Sequence, residues 1–185
     1  MGSNCKRRQL NNQGFSLVEL IVIMIIIVIL ATTVIVSFVN TADQKVKSSA
    51  TLITKYMDNA LSSAMAKGNA WFRIRYDDDK ENYYVEDSEG HSEKLSSNVA
   101  VSYDVENGDK GVKIDNTNSQ LMFSYSRVNG SFSPIIDSIN PDGTFSYRTK
   151  GEGYAYPEKI YVTCNDSRRT IQLYVKTGVY EIVEN

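Results

Sequence analysis

The chain has 185 residues, with 20 Lys and Arg against 22 Asp and Glu, one His and two Cys. A formal net charge of −2 gives no bulk attraction to nucleic acid, and so little His and Cys leaves little for catalysis or metal ligation. In chain order, residues 1–14 form a polar leader whose only charges are Lys6, Arg7 and Arg8. An unbroken apolar run follows from Ile21 to Ala31, and no charge other than Glu19 occurs between the leader and Asp43. Phe15 to Val39 is 25 residues, about 38 Å as a helix, enough to span a bilayer with some tilt. Basic residues ahead of such a run stay on the cytoplasmic side, which puts the C-terminal bulk outside. An ordinary cleaved secretory signal fits poorly because the run is longer than its apolar region; a permanent signal anchor is the better rival.

Glu19 is the informative residue. A charge in the hydrocarbon region costs about 2.5–3.5 kcal/mol on insertion scales, so an intramembrane carboxylate needs a partner. Gly14-Phe15-Ser16-Leu17-Val18-Glu19-Leu20 resembles the class III signal of type IV pilins and of the pseudopilins of type II secretion and competence systems. That resemblance implies cleavage by a prepilin peptidase between Gly14 and Phe15, N-methylation of Phe15, and assembly directed by Glu19. The residues agree with this logic. Cleavage creates an α-amino cation at Phe15, and in a lattice of parallel helices it can pair with Glu19 of a neighbour and set axial register. Glu19 can instead pair with its own N-terminus and helix dipole, or lie at headgroup level. Gly14 admits close backbone approach at a cleavage site, or simply breaks the helix before the span. Loss of the leader removes three cations and no acid, taking the net charge from −2 to −5.

From Phe15 to Lys67 there is neither Gly nor Pro, a helix of 53 residues. Within its second half, residues 40–67, Ala42, Val46, Ser49, Ile53, Met57, Ala60, Leu61 and Ala64 recur at spacings of three and four. That stripe is amphipathic and should pack on a globular part. Gly68 after Lys67 is a helix stop. Residues 68–185, about 118 in all, then make one ordinary domain. Here the period becomes two: Ala70–Tyr76, Val99–Val105, Ile160–Cys164, Ile171–Val175 and Tyr180–Ile182 alternate. Turn signals separate them, among them Asp77-Asp78-Asp79, Asn107-Gly108, Asn129-Gly130, Asp142-Gly143, Asn165-Asp166 and Thr177-Gly178. The predicted fold is α+β: a long N-terminal helix, with a membrane half and an amphipathic half, packed on a C-terminal antiparallel β-sheet head of two small sheets. This is the pilin fold that the resemblance implies. Phe132–Ile136, the Asn140-Pro141-Asp142-Gly143-Thr144-Phe145 stretch and a terminal pair of strands around Lys176-Thr177-Gly178 resemble, more loosely, the head of GspH/FimT-type minor pilins.

Other candidates in the head are weak. His91 sits in a polar loop with no partner in sequence and reads as solvated. Asp77, Asp78, Asp79 and Glu81 can bind calcium in principle, but consecutive acids read better as a charged hairpin loop. Arg168 and Arg169, with Lys176 nearby, form a basic hairpin tip that touches DNA phosphates or is merely solvated, and two or three cations contribute only modest, salt-sensitive affinity. The twelve tyrosines serve contacts with neighbouring subunits or ligands, or lie half buried in the sheets. Cys5 lies in the leader. Many pilins of Gram-negative bacteria close a C-terminal loop with a disulfide, whereas Cys164 has no partner and reads as a small buried hydrophobe. The expected protein is a minor pilin or pseudopilin, not an enzyme, with no cofactor and no metal. Its implied partners are other pilin subunits, prepilin peptidase, the inner assembly platform and the membrane, before export into a surface filament. The rivals are a competence pseudopilin for DNA uptake and a permanently anchored surface protein that never polymerises.

Overall fold

The computed structural model describes residues 16–184, with side chains described for all of these except 31–40. The chain divides into two compact units, one up to Val39 and one from Asn40 onward. Helix α1 (Leu17–Lys67) contributes to both. It ends where the sequence predicts: Gly68 takes φ +92° and its N–H donates to the Ala64 carbonyl at 3.0 Å, a left-handed cap that satisfies one terminal carbonyl.

In the second unit thirteen strands follow the helix. They are β1 (Trp71–Asp77), β2 (Asn82–Asp87), β3 (Ser92–Lys94), β4 (Ala100–Val105), β5 (Val112–Lys113), β6 (Gln120–Ser124) and β7 (Ile136–Ile139), then β8 (Phe145–Tyr147), β9 (Thr149–Lys150), β10 (Gly153–Tyr154), β11 (Pro157–Cys164), β12 (Ser167–Tyr174) and β13 (Val179–Glu184). Two sheets dominate, one of order β3-β2-β1-β6 and one of order β13-β12-β11-β4-β5, with small β7-β8 and β9-β10 pairs beside them. All pairings are antiparallel, as in Ile74 opposite Val85 and Leu121, and Ile160 opposite Ile171 and Tyr103. The fold is α+β, a long helix on antiparallel sheets.

Core packing follows the helical stripe. Ala42, Val46, Ser49, Ile53, Met57, Ala60 and Ala64 are all buried, and Leu61 packs half-buried beside them. Ala50 and Tyr56 join the same core from α1. Opposite stand Phe72, Ile74, Val85, Leu121 and Phe123 of the four-stranded sheet, and Val101, Tyr103, Ile160, Val162, Ile171 and Leu173 of the five-stranded one. Aromatic edges lock part of this layer: Phe123 meets Phe72 at 5.2 Å and Phe132 at 5.4 Å between ring centroids, arrangements that add to plain burial.

Several strands lie outside the period-two reading, and two of them, β6 and β2, contribute buried side chains that explain why. β6, Gln-Leu-Met-Phe-Ser, is buried at four successive positions, Leu121 to Ser124. Leu121 and Phe123 enter the main core while Met122 is covered on the other face, beside β7, so no polar alternation exists to be read. β2 is masked differently, because the carboxylates Glu86 and Asp87 are themselves buried. The terminal hairpin between β12 and β13 turns at Gly178, with φ +68°. An added Cβ there would lie 1.8 Å from the Gly130 carbonyl oxygen, so glycine is required both for the turn and for the close approach.

Ile53 is fully buried in this core. Replacing it with Ala should lower the unfolding free energy by about 2–5 kcal/mol, whereas Met65→Ala, at an exposed position, should change it by less than about 0.5 kcal/mol. Denaturant unfolding followed by near-ultraviolet circular dichroism measures both.

Candidate functional site

In the first unit α1 begins at a cap. The Ser16 hydroxyl accepts from the Glu19 backbone N–H at 3.4 Å, and the Leu20 N–H donates to the Ser16 carbonyl at 3.1 Å. Ser16-Leu17-Val18-Glu19 is therefore also a capping-box sequence, a signal overlooked when the segment is read only for apolarity. The Glu19 side chain is exposed, and its carboxylate has no hydrogen bond or ion pair among the described residues. Around it every large side chain from Leu17 to Leu30 is exposed, from 43% at Ile23 to 77% at Leu17. A helix that is apolar on all sides needs cover from lipid or from other helices. Among the described residues no helix is long and apolar enough to cross a membrane. In the first unit the described apolar side chains run as far as Leu30. Gly14 and Phe15, the expected cleavage and methylation positions, lie outside the described residues, as does Cys5.

The head changes several single-residue expectations. His91 remains exposed but has a partner: its Nδ1 lies 2.9 Å from the Asp87 Oδ2. Asp87 Oδ1 also accepts the backbone N–H groups of Glu89 and His91 at 3.0 and 3.1 Å. Glu89 accepts from Ser63 at 2.9 Å and Lys67 at 2.8 Å, so this loop is fastened to the last turns of α1. Sequence reading missed the partner because Asp87 sits in an uncalled strand. Asp77 heads the acidic hairpin loop and engages Arg75 at 3.4 Å and Lys80 at 3.7 Å. Among the described residues no group of three or more His, Cys, Asp or Glu is placed to hold a metal ion. Cys164 is free and buried.

Arg168 and Arg169 do not share one environment: Arg168 is exposed, as a solvated reading expects, whereas Arg169 is buried. Both belong to β12, where neighbours point to opposite faces. Arg169 is buried and reaches Asp43 of α1 at 3.4 Å and Glu184 of β13. Arg168 lies on the opposite side with its guanidinium 3.9 Å from the Tyr161 ring centroid. Lys176 lies beyond the far end of the strand, about 25 Å along at about 3.3 Å per residue. The three cations expected to meet DNA phosphates are thus not assembled.

A polar network absent from the sequence reading covers the outer face of the four-stranded sheet. Glu86 accepts from Arg73 Nε at 2.8 Å and from Arg75 Nε and Nη2 at 3.2 Å each. Trp71 and Tyr84 lie beside these guanidinium groups at 5.1 and 5.4 Å. Burial alone would raise the Glu86 carboxyl pKa, but the hydrogen bonds and charges of Arg73 and Arg75 outweigh it and hold the group below its ordinary value. Only cross-strand register brings these residues together, Arg73 opposite Glu86 and Arg75 opposite Tyr84.

Residues 9–35 match the family model for the prokaryotic N-terminal methylation motif, the class III signal of type IV pilins and pseudopilins. The match supports a type IV pilin- or pseudopilin-like protein. The motif describes a structural signal and not an enzyme class. It implies, in general terms, processing by prepilin peptidase, membrane anchoring and assembly with other pilins. No curated protein and no solved structure matches the chain.

Glu86 loses its proton more readily in the folded state than in the unfolded one, so its stabilisation is complete above about pH 4.5, the ordinary value, and fades as pH falls through the lower folded value. Glu86→Gln should cost about 1–3 kcal/mol at neutral pH, and the gap from the unaltered protein should narrow as denaturant unfolding is repeated at pH 4 and then pH 3. A gap independent of pH would remove the charged pair from the account.

Proposed function

We propose that the chain is a minor pilin or pseudopilin, a structural subunit of a type IV pilus or related secretion filament. Residues 1–14 are the leader, 15–39 the membrane and assembly half of the helix, 40–67 its amphipathic half, and 68–185 the β-rich head. Prepilin peptidase cuts between Gly14 and Phe15, and Phe15 becomes N-methylated. The subunit waits as a single-pass membrane protein with its head outside, then passes from the inner assembly platform into a surface filament. The observation that carries this reading is the apolar helix from Leu17 to Leu30, exposed on every side and bearing one carboxylate, inside the segment that matches the methylation motif. Each exposed Leu, Ile, Val or Met is worth about 1.5–3 kcal/mol when taken out of water, so the helix is stable only when covered. Lipid covers it before assembly and sibling helices afterward, and transfer between the two need not be uphill because apolar surface stays covered in both. The hairpin turns at Asn140–Thr144 and Thr177–Gly178 support the minor-pilin side of this reading.

Glu19 provides the discriminating test, because Gln is as good as Glu in a capping box. Glu19→Gln should leave helix content unchanged yet cut incorporation into filaments at least about tenfold, the cost of losing roughly 1.4 kcal/mol of pairing. Ser16→Ala should weaken the cap by about 1 kcal/mol with a smaller effect on incorporation. Quantitative immunoblots of sheared filaments read both. Undiminished incorporation of the Gln variant removes the charge from assembly. Mass spectrometry completes the test: a mature chain starting at methylated Phe15 is expected, and an intact Met1 would instead indicate a permanent anchor.

A further inference from the structure

Where α1 ends, the head opens into a cleft of about 580 Å³ reaching from Asn69 across Ser126 and Arg127 to Phe145, Tyr147 and Tyr156. That volume is in the range of small-molecule sites. In its lining Phe145 meets Tyr147 at 6.2 Å and 72°, and Tyr154, next to the cleft rather than in its lining, packs on Tyr147 at 5.8 Å and 71°. Tyr154 is 57% exposed. Tyr156 shares the lining with Tyr147, and burial, with the neighbouring phenols of Tyr154 and Tyr156, holds the Tyr147 hydroxyl above its ordinary pKa. Among the described residues, the hydroxyls of Tyr147, Tyr154 and Tyr156 and the side-chain amide of Asn69 make no hydrogen bond. Aromatic faces with open polar tips therefore line a hydroxyl-rich hollow.

Charge selects the ligand class. Lys67 at the cleft is paired with Glu89 at 2.8 Å, and of the cations that follow Tyr147 in the chain Arg148 is paired with Asp137 at 2.8 Å and Lys150 with Asp109 at 3.8 Å. Arg127 is exposed and has no ion pair among the described residues. Nucleic acid would also stack on tyrosines, but its affinity comes mainly from several cations neutralising phosphates, and here one is free. A sugar ring asks for what the cleft offers: its C–H face lies on an aromatic face, and its rim hydroxyls donate and accept.

We propose that this cleft binds a polysaccharide chain, neutral or sparsely acidic, with one sugar ring stacked on Tyr147 within it, the chain continuing over Tyr154 beside it, and sugar hydroxyls hydrogen-bonded by Asn69, Arg127 and the Tyr156 phenol. The site lies in the head and does not depend on filament assembly. Isothermal titration of the full chain in lauryldimethylamine oxide, a detergent without a sugar headgroup, tests it with chitohexaose, cellohexaose and maltohexaose, and with single-stranded oligothymidylate for comparison. Saturable binding of at least one saccharide is expected, weakened about tenfold or more by Tyr154→Ala and unchanged by Tyr174→Ala, an exposed tyrosine outside the cleft. Tyr154 is exposed enough for its variant to keep the fold, which circular dichroism checks. Absence of saturable binding across the saccharides overturns the proposal, as does equal weakening by Tyr174→Ala. Salt-sensitive binding of oligothymidylate alone overturns it in favour of nucleic acid.

Discussion

Burial of one stripe of α1 is the interaction on which the head depends. Val46, Ile53 and Met57 supply volume, and Ala42, Ala50, Ala60 and Ala64 are buried in the same core. Two sheets share this single support, and neither has a full second layer of its own. The head is a pair of antiparallel sheets whose inner faces are completed by the same helical face, which is how a domain of this size gathers one continuous core. Close packing makes every position of that stripe sensitive to a change of volume.

The same helix obeys a different rule in its other unit. From Leu17 to Leu30 no face is reserved for a core, and all the large side chains are exposed. Intrinsic helix propensity does not explain such a run, since β-branched Ile and Val are mediocre helix formers; the surroundings must supply the cover. Glu19 contributes through its backbone at the Ser16 cap, while its exposed carboxylate has no hydrogen bond or ion pair among the described residues.

Much of this was legible in the sequence where physical periodicity is strong. The α1 stripe, the Gly68 stop and the strands holding Ile74, Val101, Ile160, Ile171 and Tyr180 follow from spacing alone, because one side of each element faces the core and the other does not. β6 was not legible because both its faces are covered, and β2 because its buried acids look like loop residues. Glu86 and Asp87 tolerate burial only through Arg73, Arg75 and the loop N–H groups brought by register and turns. Arg169 was misread for the same reason. Its partners Asp43 and Glu184 are remote or on another strand, and no local pattern announces them. The Gly14–Leu20 signal was legible as a motif, whereas the aromatic cleft needed tertiary structure to bring Asn69, Arg127 and Tyr147 together.

Strand β13 closes the head through contacts that are distant along the chain. Tyr180 donates to Asp58 at 2.8 Å across 122 positions, and Arg169 beside it reaches Asp43 across 126. A polypeptide made from its N-terminus onward therefore presents the α1 stripe long before β12 and β13 arrive to cover it. Such non-local closure is slow on the scale of local helix formation, so for that interval the half-built head carries open apolar surface and an unpaired strand edge. A nascent chain in this state is at its most vulnerable to proteases and to aggregation, and the speed of β12–β13 docking sets how long that exposure lasts.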